Sequence, residues 1–273
     1  MCHRMGRTVL HLAPHPDDEL IGAPATLMAL RDADYRIVNV ACSLGRREQR
    51  SRREAELREA CRRAGFELII PEHPVAISKD DDHAEAYEQL AALARTTIEQ
   101  LEPEIVVSPS PHDRQYGHEL VARALRDTLS ERVDSAPPWW MWGLWGLLPF
   151  TTIGTAFQRP RLEEILTALE AHTGELKRND YRRFVRGRAE MNASVGPELL
   201  FGFGASAGAT AYVELVGEAV LVKGRWLLGR SRWLEPDAPL ADPSETEIGD
   251  WLYAESVTQR FGPPGAEGGQ QDD

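Results

Sequence analysis

Residues 14–19 read Pro-His-Pro-Asp-Asp-Glu. They follow the apolar run Val9-Leu10-His11-Leu12. His15 offers an imidazole nitrogen and Asp18 a carboxylate oxygen, both ordinary zinc ligands. Asp17, between them, is left free to act as a base. Glu19 reads as a partner that supports the turn. A catalytic zinc site needs three protein ligands and an open position. A second cluster, Pro111-His112-Asp113-Arg114-Gln115-Tyr116-Gly117-His118, can supply the third. His118 stands where a helix would begin, and the positive end of a helix disfavours imidazole protonation. Asp113 is placed to hold a ligand histidine through its other ring nitrogen.

The elements that must bring these clusters together follow from periodicity. Residues 8–13, 37–43, 68–70 and 104–108 read as strands. Residues 24–32, 46–64, 84–101 and 117–129 read as helices, with Pro24 suited to a first turn and Gly65 to a stop. Leu57, Ala60, Cys61 and Ala64 form one apolar stripe at helical spacing. The β-α alternation calls for a parallel sheet with right-handed crossovers. In such a sheet the loops carrying His15 and His118 leave strand ends at one edge, where sites form. The fold class expected is therefore α/β, a Rossmann-like three-layer arrangement around a mostly parallel sheet. No glycine fingerprint for a dinucleotide is present.

The second half is less regular. Residues 134–138 read as a linker, and Trp139 to Trp145 concentrates tryptophan in what reads more as a core strand than a binding platform. Residues 161–176 read as one amphipathic helix, with Ile165, Leu169, His172 and Leu176 on a stripe that suits a core histidine. Residues 181–193 read as a further helix, 212–216, 219–222 and 226–228 as short β segments, and 235–244 as loop. One domain over 8–258 is expected, with a metal-binding core at 8–130 and a pocket-forming elaboration at 139–258. Residues 1–7 read as a loose extension with Met5 an alternative start, and 262–273 has the composition of a disordered tail.

With 31 Lys and Arg against 43 Asp and Glu, the 273-residue chain carries −12. That argues against a general nucleic-acid binder. The basic run from Arg46 to Arg53 reads mainly as a solvated helix face, with some arginines available to line a cleft for an anionic substrate. Cys2, Cys42 and Cys61 are three, widely spaced, and form no CxxC pair. Ordinary reduced thiols and a cytoplasmic location are expected. No secretory signal is evident, and no run reaches the ~18 apolar residues of a membrane span.

The Pro14–Glu19 segment resembles the signature of the PIG-L/LmbE family of zinc-dependent de-N-acetylases, which includes deacetylases of mycothiol, bacillithiol and glycosylphosphatidylinositol biosynthesis. The resemblance spans roughly residues 8–130. The Arg53–Arg58 stretch resembles the family's arginine-and-acid helix, and Pro111–His118 the loop ending in the third ligand. The resemblance implies His15, Asp18 and His118 as ligands to Zn2+, or to another divalent transition metal such as Fe2+. It implies Asp17 as general base and Arg53 as a nearby cation. The family's last motif usually reads His-Pro-Asp-His, its first histidine assisting the oxyanion or the leaving amine. Gln115 stands at that place here, and Gly117 replaces the acid. Gln can donate a hydrogen bond but cannot deliver a proton, so Asp17, His112 or His172 would protonate the amine. Glu56 reads as a structural partner. The function implied is removal of an N-acetyl or N-acyl group from an amino sugar such as N-acetylglucosamine, in a thiol-cofactor or antibiotic pathway. The alternatives are an amidase acting on a thiol conjugate and a non-catalytic sugar-binding relative.

Overall fold

In the computed structural model the described residues are 7–78, 81–206 and 208–262. The readings made for Cys2, Met5 and nearly all of the acidic tail lie outside them. The first half alternates β1 (Thr8–Ala13), α1 (Asp18–Ile21), α2 (Pro24–Asp32), β2 (Arg36–Ala41), α3 (Arg50–Ala64), β3 (Glu67–Ile69), α4 (His83–Leu101), β4 (Ile105–Pro109) and α5 (Tyr116–Ser130). A 3-10 turn, Arg47–Gln49, precedes α3. Local chemistry accounts for several boundaries. Pro24 sits in the first turn of α2, and Gly65 stops α3 at φ 71°. The Asp82 carboxylate accepts the Ala84 and Glu85 N–H groups at the start of α4.

The second half contributes β5 (Trp139–Trp142), β6 (Ile153–Phe157), α6 (Arg159–Leu169), α7 (Thr173–Arg178), α8 (Tyr181–Phe201), β7 (Tyr212–Val222), β8 (Arg225–Gly229), β9 (Arg232–Trp233), β10 (Pro243–Glu247), α9 (Gly249–Tyr253) and α10 (Val257–Phe261). The main sheet runs β10-β8-β7-β5-β4-β1-β2-β3. From β5 through β3 every pairing is parallel; β7, β8 and β10 add antiparallel. Side chains of α2, α3, α6 and α8 pack on one face of the sheet, and those of α4, α5 and α9 on the other. This is the α/β architecture expected, with a mostly parallel centre. β1 is buried along its whole length and lies between β2 and β4. Its C-terminal end therefore opens beside that of β4.

Four second-half readings need correction. The helix read over 161–176 is two. The chain breaks after Leu169 and restarts at Thr173, where Glu56 of α3 accepts the Thr173 hydroxyl at 2.6 Å and the Gly174 N–H at 3.1 Å. Helix α8 runs on to Phe201 through Gly196 and Pro197, both buried, with Gly196 lying against Leu215 and Val213 of β7. Tertiary packing here overrides poor helix formers. The segments read at 212–216 and 219–222 are one strand, β7, which changes partners along its length. Residues 212–216 pair with β6, and Gly217 to Ala219 with β5. The interval 235–244 is not all loop, since β10 begins at Pro243. Strand β6 was not anticipated at all.

Candidate metal centre

His15 and Asp18 flank the turn between β1 and α1, and His118 lies in the first turn of α5. Their ligand atoms all fall within 4.8 Å of one another. The Asp18 Oδ2 is the focus. It accepts the His15 backbone N–H at 2.8 Å and lies 3.4 Å from both His15 Nδ1 and His118 Nε2. The two imidazole centroids are 5.3 Å apart. Asp18 and His118 are each 2% exposed, and the His15 side chain, at 19%, is the member open to the cavity.

His118 is fixed from behind. Its Nδ1 meets Asp113 Oδ2 at 2.6 Å, leaving Nε2 toward Asp18. The other Asp113 oxygen accepts backbone N–H groups of Leu144, Trp145 and Gly146 at 2.5, 3.0 and 3.1 Å. Asp113 thus holds both a ligand histidine and the turn after β5. Burial opposes charge on His118, yet the Asp18 and Asp113 carboxylates push it up to about 10. This reverses the expectation from the helix N-terminus: two full negative charges at contact outweigh a partial positive one. Burial also lifts Asp18, but His118 and His15 hold it far below the usual carboxylate range. His15 is lowered by burial. Two nitrogens and one carboxylate oxygen converging at this spacing suit a divalent transition metal with open positions.

Asp17 sits beside this trio but is not part of it. Its φ is 111°, a left-handed strain for a non-glycine residue. Glu19 holds it there by accepting the Asp17 N–H at 3.0 Å. Glu19 also meets His172 Nε2 at 2.6 Å, with both side chains at 0% exposure. Burial, and then the adjacent Asp18 charge, raise the Asp17 carboxyl well above its ordinary value; the nearby His172 opposes the rise. Beneath the site, Trp142 Nε1 donates to His11 Nε2 at 3.2 Å, and His11 Nδ1 meets Asn39 Oδ1 at 2.7 Å.

Residues 10–129 match the family whose model is described as PIG-L, GlcNAc-PI de-N-acetylase. The metal trio and Asp17 all fall inside this matched segment. No curated protein matches the chain significantly in sequence. Solved structures share the fold at low identity. Teicoplanin deacetylase Orf2, in its zinc-inhibited form, superposes with TM-score 0.59 at 13% identity over 78% of this chain and 98% of its own. N,N'-diacetylchitobiose deacetylase from Pyrococcus horikoshii gives 0.54 at 15% over 78% and 84%. GalB, the 4-carboxy-2-hydroxymuconate hydratase from Pseudomonas putida KT2440, gives 0.57 at 15% over 78% and 95%. Deacetylases and a hydratase thus stand on one fold, so the chemistry has to be argued from side chains.

Within the matched segment the two departures noted in the sequence have structural accounts. Gln115 caps α5: its Oε1 accepts the His118 N–H at 2.8 Å. With the oxygen committed, its NH2 is the end available to the cavity it lines. A Cβ at Gly117 would meet His15 Cε1 at 3.0 Å and Ile77 Cδ1 at 3.0 Å, so glycine is what lets the His15 ring lie against α5. Arg53 also lines the cavity. It contacts the Pro16 carbonyl at 3.4 Å and Glu175 at 3.3 Å, bracing the metal turn. His112 does not reach the site. Its Nε2 lies 2.7 Å from the Trp251 carbonyl and its ring packs on Trp251, which corrects its candidacy. His172 is buried and is not among the residues lining the cavity.

The cavity over the trio has a volume of about 1220 Å³ and draws walls from both halves. Trp139, Trp140 and Trp142 are core, as read, but Trp145 is 45% exposed and lines the cavity. Its ring stacks near Phe184 at 6.4 Å and meets Tyr181 edge-on at 6.3 Å. Tyr116 lines the same space, and its buried hydroxyl has no partner among the described residues. Sequence reasoning did not single out Tyr116, although it lies within the His112–His118 cluster. It also missed Arg188, whose guanidinium donates to the Ile21, Gly22 and Gly143 carbonyls at 2.7, 2.6 and 3.1 Å. No local pattern marks that residue; only the fold brings α8 to the end of α1.

Proposed function

We propose that the protein is a metal-dependent hydrolase that removes an N-acetyl, or other N-acyl, group from an amino sugar or glycoconjugate. Amide and water give free amine and carboxylate. The observation that carries this reading is Asp17: a buried carboxylate held beside the His15, Asp18 and His118 set without belonging to it. His15, Asp18 and His118 would hold the metal, Zn2+ by preference. When bound there it supplies an acidified water and a Lewis-acid contact for the acyl oxygen. Asp17 takes the proton of the attacking water. The Gln115 NH2 and Arg53, both lining the cavity, face developing negative charge on the acyl oxygen. With His112 turned away and His172 engaged to Glu19, Asp17 is also the group that returns a proton to the departing amine.

The sugar ring fits the Trp145 and Tyr181 side of the cavity, since aromatic faces suit apolar ring faces while leaving hydroxyls wet. On this reading residues 8–258 work as one unit, 8–130 carrying the metal and 139–258 shaping the pocket. Cys42 and Cys61 are free and buried, in keeping with reaction in the cytoplasm. Among the described residues no helix is long and apolar enough to cross a membrane. Acetate release from a panel of N-acetylglucosaminides by the Zn2+-loaded protein tests the reading. Metal binding with no acetate from any member would instead favour a sugar-binding relative, a reading that Gln115 in the donor position motivates.

A further inference from the structure

A helix on a protein surface usually turns a polar face outward. Helix α8 does so only in its first half. Tyr181, Val185, Ala189, Asn192 and Gly196 bury one face of it. The opposite face starts with Arg182, Arg183 and Arg186, all exposed. It then turns apolar: Met191 is 45% exposed, Val195 40% and Leu199 59%. The three are spaced four apart, so they form one ridge. Just past the helix, Phe203 stands 99% exposed between Gly202 and Gly204. Both glycines have left-handed φ, at 95° and 92°.

Two features of the same face say what covers it. The first is Gly187, one turn before Met191 on the ridge. A Cβ there would meet nothing within 4 Å, so no described residue crowds the position. Glycine inside a helix is unfavourable relative to alanine, and its use is to let another backbone come close. The second is charge. Arg186, Glu190, Ser194 and Glu198 run beside the ridge at the same spacing. Arg186 has no ion-pair partner among the described residues. Glu198 accepts the Gly204 N–H on Oε1 at 3.0 Å, and its other oxygen has no partner among the described residues. A flank that is basic at one end and acidic at the other matches its own copy when that copy runs the opposite way. In a two-fold contact residue i meets j and j meets i.

We propose that α8 is a self-association surface, pairing antiparallel with α8 of a second copy across a two-fold axis midway between Met191 and Val195. In that register Val195 of each copy meets Met191 of the other, and Leu199 enters the gap over Gly187, a knob in a hole. Glu198 comes beside Arg186, and Phe203 comes to Arg183, whose guanidinium suits an aromatic face. A parallel arrangement would set Arg186 against Arg186 and Glu198 against Glu198.

Sedimentation of the Zn2+-loaded full chain at micromolar concentrations tests this. A species of twice the chain mass is expected. The V195E/L199E variant should raise its dissociation constant on the order of 100-fold or more. Gly187→Leu should raise it about tenfold or more while the melting temperature of the monomer falls no lower, since leucine is the better helix former. That variant separates contact from folding. Arg186→Glu and Glu198→Arg should each weaken the dimer, and an equimolar mixture of the two should recover it, because each then meets an opposite charge. A monomer at every concentration would overturn the proposal, and a monomer that binds phosphatidylcholine–phosphatidylglycerol vesicles would give the ridge to a lipid surface instead. A dimer untouched by V195E/L199E, or a charge-variant mixture that stays dissociated, would also overturn it.

Discussion

The two halves of the chain reach the candidate metal centre by different means. From β1 to α5, each metal-site residue sits at a place that local pattern dictates: the end of a buried strand, the cap of a helix, a turn forced by proline. From β5 onward, none of the described residues joins the metal trio. That half acts through long-range contacts: His172 on Glu19, Arg188 on the end of α1, and the turn after β5 on Asp113. The first half supplies the candidate ligand set, and the second supplies contacts that hold the turn and walls of the cavity above it.

If this division is right, damage in the second half should cost stability or substrate fit before it costs metal. The largest such effect is expected at His172→Ala, which leaves the fully buried Glu19 without its imidazole partner; losing one member of a buried pair costs about 3–5 kcal/mol. Chemical denaturation should show that loss, while metal content after dialysis stays at one ion per chain. Loss of metal at unchanged stability would break the comparison. A smaller effect is expected from Asp113→Asn, inside the first half. Weakening the carboxylate behind a ligand histidine typically lowers metal affinity about 10- to 100-fold, and competition with a chelator measures it. Trp145→Ala removes an exposed aromatic wall. It should raise KM for neutral N-acetylglucosaminides by less than about tenfold, with little change in kcat.

The metal-free protein gives a further, gentler check. His118 is pushed up to about 10 from an ordinary 6.5. A raised value means that its contribution to stability is fully present below about pH 6.5 and is lost as pH rises toward 10. Stability of the metal-free protein should therefore decline across that window. The Zn2+-loaded protein, whose ligand histidines are deprotonated throughout, should lack that part of the decline.

The same division explains what could be read in advance. The strands and helices up to Ser130 follow from periodicity and from Pro24 and Gly65, so the sheet edge that gathers His15, Asp18 and His118 was legible; the Gln115 cap of α5 was not. The role of Asp113 was legible too, because a carboxylate five residues before a ligand histidine has few other uses. The upward push on His118 was not legible, since the Asp18 and Asp113 charges arrive from residues whose distance no sequence gives. The break at 170–172 was hidden because Ile165, Leu169, His172 and Leu176 keep a helical stripe, while Glu56, more than a hundred residues earlier, supplies the partners that interrupt it. Strand β7 looked like two because Gly217 marks a change of partner, not an end. The basic run from Arg46 to Arg53 reads as a helix face with some arginines available to a cleft; that Arg178 and Glu175 of α7 complete that cavity is visible only in the fold.

The central claim is that Asp17 moves protons and does not hold metal. Asp17→Asn tests it most directly when metal content and acetate release are measured on the same Zn2+-loaded sample. The expected result is one metal ion retained per chain with turnover lowered on the order of 100-fold or more. Turnover near that of the unaltered protein, or loss of the metal along with activity, would contradict it.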